Sequence, residues 1–445
     1  MTFKFSKSAL LASILLAVAG PAAAQSESPS AKKSNVSISS PIIFYLAKGE
    51  PDACGQGCSE WIAAEGQFDS GATHRLRGLL TRLGKRKLPI FFHSPGGLGH
   101  EAMAIGRLLR SRDMTAGVSE TIPAGCAGAS AQACTALKRS GQVLPSELRN
   151  ISGCNSACVY ALIGAKVRQV PPGARLGVHS GKLVVLAADG RIKGPLQRNP
   201  SVNEKAARSE ALRRYLQEMR IDTRLQDIAS AIPFEQVRYL NRDEMAGLGI
   251  DSREFHESRW TAVDIDPKQH LTMKFFVEPH GRSRKELRTN VIQIECAGPQ
   301  RARIAYLRAL GSDESGAKQT ISLTAAGRNV AFSARVAEVK MDAVDTGVSF
   351  NLFTMTVPLE VLETAAARDS IEIIETATAG ATGTTGATGV QPRVTKLSTA
   401  GLVQALAALR PRCGSKSDCE PSEAWSAGKA GSGAANCAVP FTNVH

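Results

Sequence analysis

The chain's 445 residues suffice for two folded units, and 54 basic against 40 acidic side chains give it a net charge of +14. That balance favours anionic partners in general, such as an envelope lipid, a polysaccharide or an acidic protein, while the lack of interleaved aromatic and basic residues argues against nucleic acid. Beyond the N-terminal leader no stretch approaches the roughly 18 apolar residues that a membrane span requires, so no span is expected after the leader is removed.

Residues 1–24 read as a Sec-type secretory signal: Lys4 and Lys7 open it, an apolar run covers Ala9 to Val18, and Ala22-Ala23-Ala24 precede Gln25 as the cleavage site. Its removal takes the charge from +14 to +12 and implies a periplasmic destination, with Gln25 rather than a lipid-bearing cysteine directly after the cleavage site. Residues 25–40, rich in Ser, Ala and Lys, are expected to form a disordered linker. From Ile42, short apolar strands alternate with helices: strand Ile42 to Leu46, helix Ala72 to Leu83, strand Leu88 to Phe92, and helix Glu101 to Arg110 burying Met103, Ile105 or Gly106, and Leu108 to Leu109. Such alternation predicts an α/β domain over 41–258 with mostly parallel strands. Leu183 to Leu186 and Arg191 to Lys193, joined through Ala188-Asp189-Gly190, predict a hairpin. Asn203 to Met219 predicts a long helix whose Glu and Arg residues face solvent.

After about Asp266 the pattern becomes β-rich. Strands are expected at Leu271 to Val277, Val291 to Glu295, Thr320 to Leu323, Val330 to Val336, Val348 to Thr356 and Ser370 to Ile374. A β-rich (α+β) C-terminal domain over 265–413 follows, in which Ala379 to Gly389, built of Gly, Thr and Ala, is a loop. Ser398 to Leu409 reads as a terminal helix with Leu402, Leu406 and Leu409 on one face. The tail, 414–445, is small and polar and carries Cys419 and Cys437. This second unit shows no catalytic motif and reads as a binding or scaffolding accessory domain.

Three segments carry chemistry. Strand Leu88 to Phe92 runs into Ser94-Pro95-Gly96-Gly97, whose glycines leave backbone N–H groups free to face a ligand. Ser156 stands among small residues in Gly153-Cys154-Asn155-Ser156-Ala157-Cys158, where the apolar stretch Val159 to Ile163 begins. Leu176-Gly177-Val178 ends on His179. A serine becomes a nucleophile only when a base takes its proton and amide donors meet the resulting oxyanion, and these three segments supply all the parts. Each has a plainer reading alone: an N-cap for Ser156, a half-buried hydrogen-bonded histidine for His179, an ordinary turn for the glycines.

In order and context these segments resemble the Clp protease proteolytic subunit and the wider Clp/crotonase superfamily, and more closely a group of exported bacterial Clp-like proteins; the likeness covers about Ile42 to Asp251. The resemblance implies a Clp/crotonase-like spiral α/β domain, Ser156 as nucleophile, His179 as general base, and the Gly97 and Ala157 amides as oxyanion donors. It also implies a peptide or protein substrate, no cofactor and no metal, and a homo-oligomer formed through the element at 203–219. Two features depart from the pattern. The passage Glu120 to Asn150, with Cys126 and Cys134, is additional and is expected to be a surface insertion. The triad acid implied by the resemblance falls near Val237; Glu235 is the nearest acid, with Asp227 and Asp243 as alternatives.

All ten cysteines lie beyond the leader, and in an oxidising compartment an even number predicts disulfides. Cys54 is expected to pair with Cys58, Cys296 with Cys413 and Cys419 with Cys437, while Cys154 or Cys158 would tie the serine segment to Cys126 or Cys134. A zinc site built from Cys54, Cys58, Cys154 and Cys158 is the competing arrangement. For function, the first expectation is an exported Clp-like serine hydrolase, a peptidase. The second is a catalytically degenerate relative that binds peptide or an envelope polymer without turnover. Crotonase-type acyl-thioester chemistry is disfavoured because exported compartments hold no coenzyme A pool.

Overall fold

The computed structural model describes residues 40–413 apart from Gln56 and the stretches 265–269, 282, 315–318, 326–327, 332–337, 341–347 and 378–392. The leader, most of the linker, the expected loop Ala379 to Gly389 and the tail with Cys419 and Cys437 lie outside the described residues. The described residues belong to one compact unit of mixed α/β structure containing several sheets.

Its first part is laid out by strands β1 (Ile43–Lys48), β2 (Glu60–Glu65), β3 (Ile90–His93), β4 (Thr115–Val118), β5 (Glu120–Pro123), β6 (Val143–Arg149), β7 (Ser152–Asn155), β8 (Val167–Gln169) and β9 (Ala174–Val178). A seven-stranded sheet runs β5-β6-β1-β2-β3-β4-β8, parallel from β2 to β8. Trp61 to Ala64 and Ile90 to Phe92 are buried runs, as parallel strands covered on both faces require. Helices α1 (Ala72–Leu83) and α2 (Gly99–Ser111) bury Leu76, Leu79, Leu80 and Leu83, and Ala102, Ile105, Gly106 and Leu109, at helical spacing. Met103 and Leu108 are only half-buried.

The passage 120–150 does not stay at the surface. It supplies β5 and β6, and β6 pairs in parallel with β1. Trp61 Nε1 donates to Thr121 Oγ1 at 2.9 Å, and Leu144 is buried in the adjoining apolar cluster, so the insertion extends the sheet. Its helix α3 (Ala131–Lys138) buries none of its side chains.

Helix α4 (Ala157–Gly164), buried almost throughout, crosses α2 where Gly164 meets Gly106; a Cβ on Gly164 would collide with the Gly106 backbone, and one on Gly106 with the Tyr215 hydroxyl. Hairpin β10 (Val184–Leu186) and β11 (Ile192–Pro195), helices α5 (Val202–Glu218), α6 (Arg224–Ser230) and α7 (Arg242–Gly247), and strand β12 (Arg238–Tyr239) complete this part. Only Tyr215 and Leu216 of α5 are buried, and the rest of that charged helix is solvated. A second small sheet, β12-β9-β7, places β7 and β9 side by side in parallel.

From residue 256 the strands are antiparallel. The first sheet uses β13 (His256–Glu257), β14 (Thr261–Asp264), β15 (His270–His280), β16 (Glu286–Cys296) and β17 (Arg301–Ala309). After β18 (Gln319–Ala325) and β19 (Arg328–Ala331) come β20 (Glu338–Lys340), β21 (Ser349–Pro358), α8 (Leu359–Ala366), β22 (Ser370–Ala377), β23 (Arg393–Ser398) and α9 (Leu402–Leu409). β20 and β21 join the first sheet, and β19-β18-β22-β23 form the other. Helix α9 buries Leu402, Leu406 and Leu409 against their strands, as its spacing predicts.

Disulfides join Cys54 to Cys58 and Cys296 to Cys413 as expected. The expected tie between the serine segment and the insertion is not made. Cys126 closes on Cys134, and Cys154 closes on Cys158. A spacing of four residues at the start of a helix already brings the last two within 5.2 Å Cα to Cα, so no distant partner is needed.

Candidate active site

The carboxyl end of β3 is stitched to that of β7: Ser94 N–H donates to Gly153 O at 3.0 Å, and Asn155 N–H donates to Ser94 O at 2.9 Å. Beyond it the chain turns through Gly96 at φ 110° and Gly97 at φ 133°, where a side chain would be strained. Space forbids one as well, because a Cβ on Gly96 would lie 2.7 Å from Ser156 Cβ and a Cβ on Gly97 would strike the Phe68 carbonyl. Phe68 N–H donates to Gly96 O at 2.8 Å and Leu98 N–H to Phe68 O at 2.7 Å. These bonds lock the turn and leave the Gly97 N–H without a protein acceptor among the described residues.

Ser156 joins β7 to α4 with φ 54° and ψ −120°, a conformation that costs a non-glycine residue on the order of 1–3 kcal/mol. Its own N–H donates to Gly177 O at 2.7 Å. The N-cap reading can be tested inside the same molecule. Ser130 and Ser201 begin helices with φ near −64° and −63°, and each accepts a backbone N–H at 3.2 Å. Ser156 makes no such bond, and among the described residues nothing is hydrogen-bonded to its hydroxyl. The Ala157 N–H, at the positive end of buried α4, is the second unoccupied donor beside it. The Cys154–Cys158 disulfide spans this turn, and a cross-link around so short a loop is worth about 2 kcal/mol, the same size as the strain it encloses.

His179 follows β9 directly, two residues beyond the carbonyl that receives the Ser156 N–H. Neighbouring strands lie about 4.8 Å apart, so the serine and histidine emerge at the same edge. His179 Nδ1 lies 2.8 Å from Ser180 O. A carbonyl can only accept, so Nδ1 donates, and in the neutral ring this leaves the lone pair on Nε2, the tautomer a general base needs. The ring stands edge-on to Phe234 at 5.2 Å between centroids. His179 and Ser156 are not hydrogen-bonded to each other here; such bonds commonly tighten only with substrate in place.

Glu235 makes no hydrogen bond to His179, although it lies near enough to feel its charge. Its carboxylate is two-thirds exposed and pairs with Lys182, which holds its pKa below the usual carboxylate value. Asp243 is engaged with Arg288 and the Leu287 N–H, and Asp227, in α6, makes no bond to His179. The β9–β12 register pairs Arg238 with Val178, which sets Val237 opposite His179. The position that the resemblance assigns to an acid therefore carries a valine. Ser180 O and Phe234, which hold the ring, have no signal in the sequence, since one acts through its backbone and the other through an edge contact.

Asn155 Oδ1 is buried without a partner beside Gly177 and Val237. A cleft of about 1220 Å³ lies elsewhere, between residues 143–151 and the segment Arg259 to Asp264 with α9. Gly97, Ser156 and His179 do not line it. Cys54, Cys58, Cys154 and Cys158 do not form the competing zinc arrangement, because all four are in disulfides.

No family model matches the chain, and no curated protein does. Among solved structures, a variant of the 1510-N membrane-bound stomatin-specific protease is similar with a TM-score of 0.26 and 13% identity over 42% of this chain and 74% of that one. A second variant of it, in complex with a substrate peptide, matches with a TM-score of 0.25, 13% identity, and 42% and 71% coverage. ClpP1 from Listeria monocytogenes matches with a TM-score of 0.25, 13% identity, and 42% and 85% coverage. Likenesses of this size carry no argument about activity, which rests on the site itself.

Proposed function

We propose that the chain is an exported serine hydrolase of Clp-like type acting on peptides, with Ser156 as nucleophile and His179 as base. The observation that carries this reading is Ser156 itself: a serine at a strained strand-to-helix turn, relieved of capping duty, beside two unoccupied backbone donors. Ser156 Oγ attacks the acyl carbon while His179 Nε2 takes its proton. The oxyanion that forms is met by the Gly97 and Ala157 N–H groups. His179 then returns the proton to the leaving amine, and water repeats the cycle on the acyl-serine.

Hairpin β10–β11 supports a peptide as substrate. It starts five residues after His179, and its tip carbonyl, Gly190 O, accepts from Ser70 N–H at 3.2 Å, near the Phe68 bridge to Gly97. An extended chain lying along that wall would pass the serine. The Ser180 carbonyl sets the His179 tautomer, although it stabilises the imidazolium less than a carboxylate would. That shortfall favours the second reading, binding of peptide or an envelope polymer without turnover. The +12 balance left without the leader suits an anionic envelope partner for either reading, and a homo-oligomer and a periplasmic setting complete the proposal.

Incubation of the mature protein with a mixed peptide library, followed by mass spectrometry, decides between them. New termini that appear with the natural chain and not with Ser156→Ala support hydrolysis. Peptide retained intact by both proteins supports the binding reading and overturns the enzyme.

A further inference from the structure

We infer that the Cys154–Cys158 disulfide is the positioning device that arms Ser156, so that the site becomes reactive only after oxidation. This inference rests on the serine hydrolase reading. The bridge closes a ring that contains Asn155, Ser156 and Ala157, and therefore both the nucleophile and one oxyanion donor. On the strand side Cys154 pairs with Leu176 of β9 and bridges to Ser94, and on the helix side Cys158 sits in the first turn of α4. The strained Ser156 backbone is thus anchored at both ends to elements that themselves form the site. Without the link, the bonds from Asn155 N–H and Ser156 N–H and the strand pairing of Cys154 would be left to oppose relaxation of the turn to ordinary cap geometry, which Ser201 adopts with no cross-link and Ser130 adopts inside the wider Cys126–Cys134 loop.

The other bridges of this part differ. Cys126–Cys134 lies half-buried in the insertion and Cys58 is half-buried, whereas Cys154 and Cys158 are both 0% exposed. Once formed, the inner bridge is out of reach of reductants until the segment opens, so it acts as a one-time arming step. In that step the two thiols give up two protons and two electrons to an external disulfide, which becomes two thiols as the Sγ–Sγ bond forms. A chain still in a reducing compartment would carry an unarmed serine.

The test compares rates of fluorophosphonate labelling of Ser156 in the mature natural protein, Cys154→Ala/Cys158→Ala and Cys126→Ala/Cys134→Ala, with thermal midpoints and near-ultraviolet circular dichroism recorded for each. The expected result is a fall of about 100-fold or more in the inner-pair variant at near-native dichroism, and no change in the outer-pair variant. Should the inner pair's removal prevent folding, natural protein is reduced and reoxidised with glutathione disulfide, and labelling must return in step with the Cys154–Cys158 bridge mapped by mass spectrometry. Labelling within threefold of natural in the inner-pair variant, or recovery ahead of that bridge, overturns the inference and leaves the hydrolase standing. No labelling of oxidised natural protein overturns both.

Discussion

The α/β part buries few charges, and each is matched: Asp69 by Arg75, Asp251 by Arg253, and Arg242 by the carbonyls of Val170 and Pro171. The antiparallel part instead encloses a network in which Arg308 meets Glu375 and Glu314, Glu278 meets Arg393, His280 and Asn290, and Tyr306 reaches Glu375. Burial and opposing charges shift the pKa of Glu278, His280, Arg308 and Glu314, the pattern often used to find active sites. In these sheets it marks structure, because the charged groups are committed to one another. The candidate active site is distinguished by the opposite property: two N–H donors and a hydroxyl without partners among the described residues, held on a rigid apolar scaffold.

Breaking the network should therefore cost stability and leave chemistry alone. Arg308→Met strands the buried Glu375 and should lower unfolding free energy by about 3–5 kcal/mol in urea titration, with the labelling rate of the remaining folded protein unchanged. Gly97→Ala should do the reverse in emphasis. By pushing the turn off Phe68 it moves an oxyanion donor, and turnover should fall by about 10²–10³-fold, with a smaller shift in midpoint.

The junction between the two parts offers a third contrast, through pH. Burial, then the Arg242 and Arg253 cations, hold the His256 pKa well below the ordinary value, so His256 stays neutral in the folded chain. The unfolded chain takes up that proton below about pH 6.5. It then binds more protons than the folded chain, so stability falls as pH drops from that point toward the depressed folded value. Asp251, whose pKa is lowered chiefly by Arg253 against its burial, adds loss in the same direction at lower pH. His256→Gln should flatten the dependence of the urea midpoint between pH 7 and pH 5. The smallest effect is expected from Glu235→Gln: its carboxylate serves Lys182 at the surface, and turnover should stay within about twofold. A loss approaching 10⁴-fold would instead make Glu235 the triad acid.

Much of this arrangement was legible in the chain because it depends on residue type. Glycines at 96 and 97, small residues around 156 and the helical spacing of Leu76 to Leu83 each leave a pattern. What escaped depends on pairing between distant segments. Strand Arg301–Ala309 hides its alternation behind arginines that only the fold neutralises, as Arg303 with Glu295 and Arg308 with Glu375 show. The insertion's role as sheet edge follows from β1 accepting β6, and the Cys154–Cys158 pairing follows from local helix geometry that a tally of cysteines does not contain. The support of His179 by a backbone carbonyl leaves no trace in side-chain identity at all.

The central claim, that Ser156 is an activated nucleophile, is tested most directly by treating the oxidised mature protein with a fluorophosphonate and locating the adduct by peptide mass spectrometry. A single adduct on Ser156 that is lost in His179→Ala is expected. Absence of any adduct on Ser156, under conditions in which a known serine protease labels fully, would contradict it.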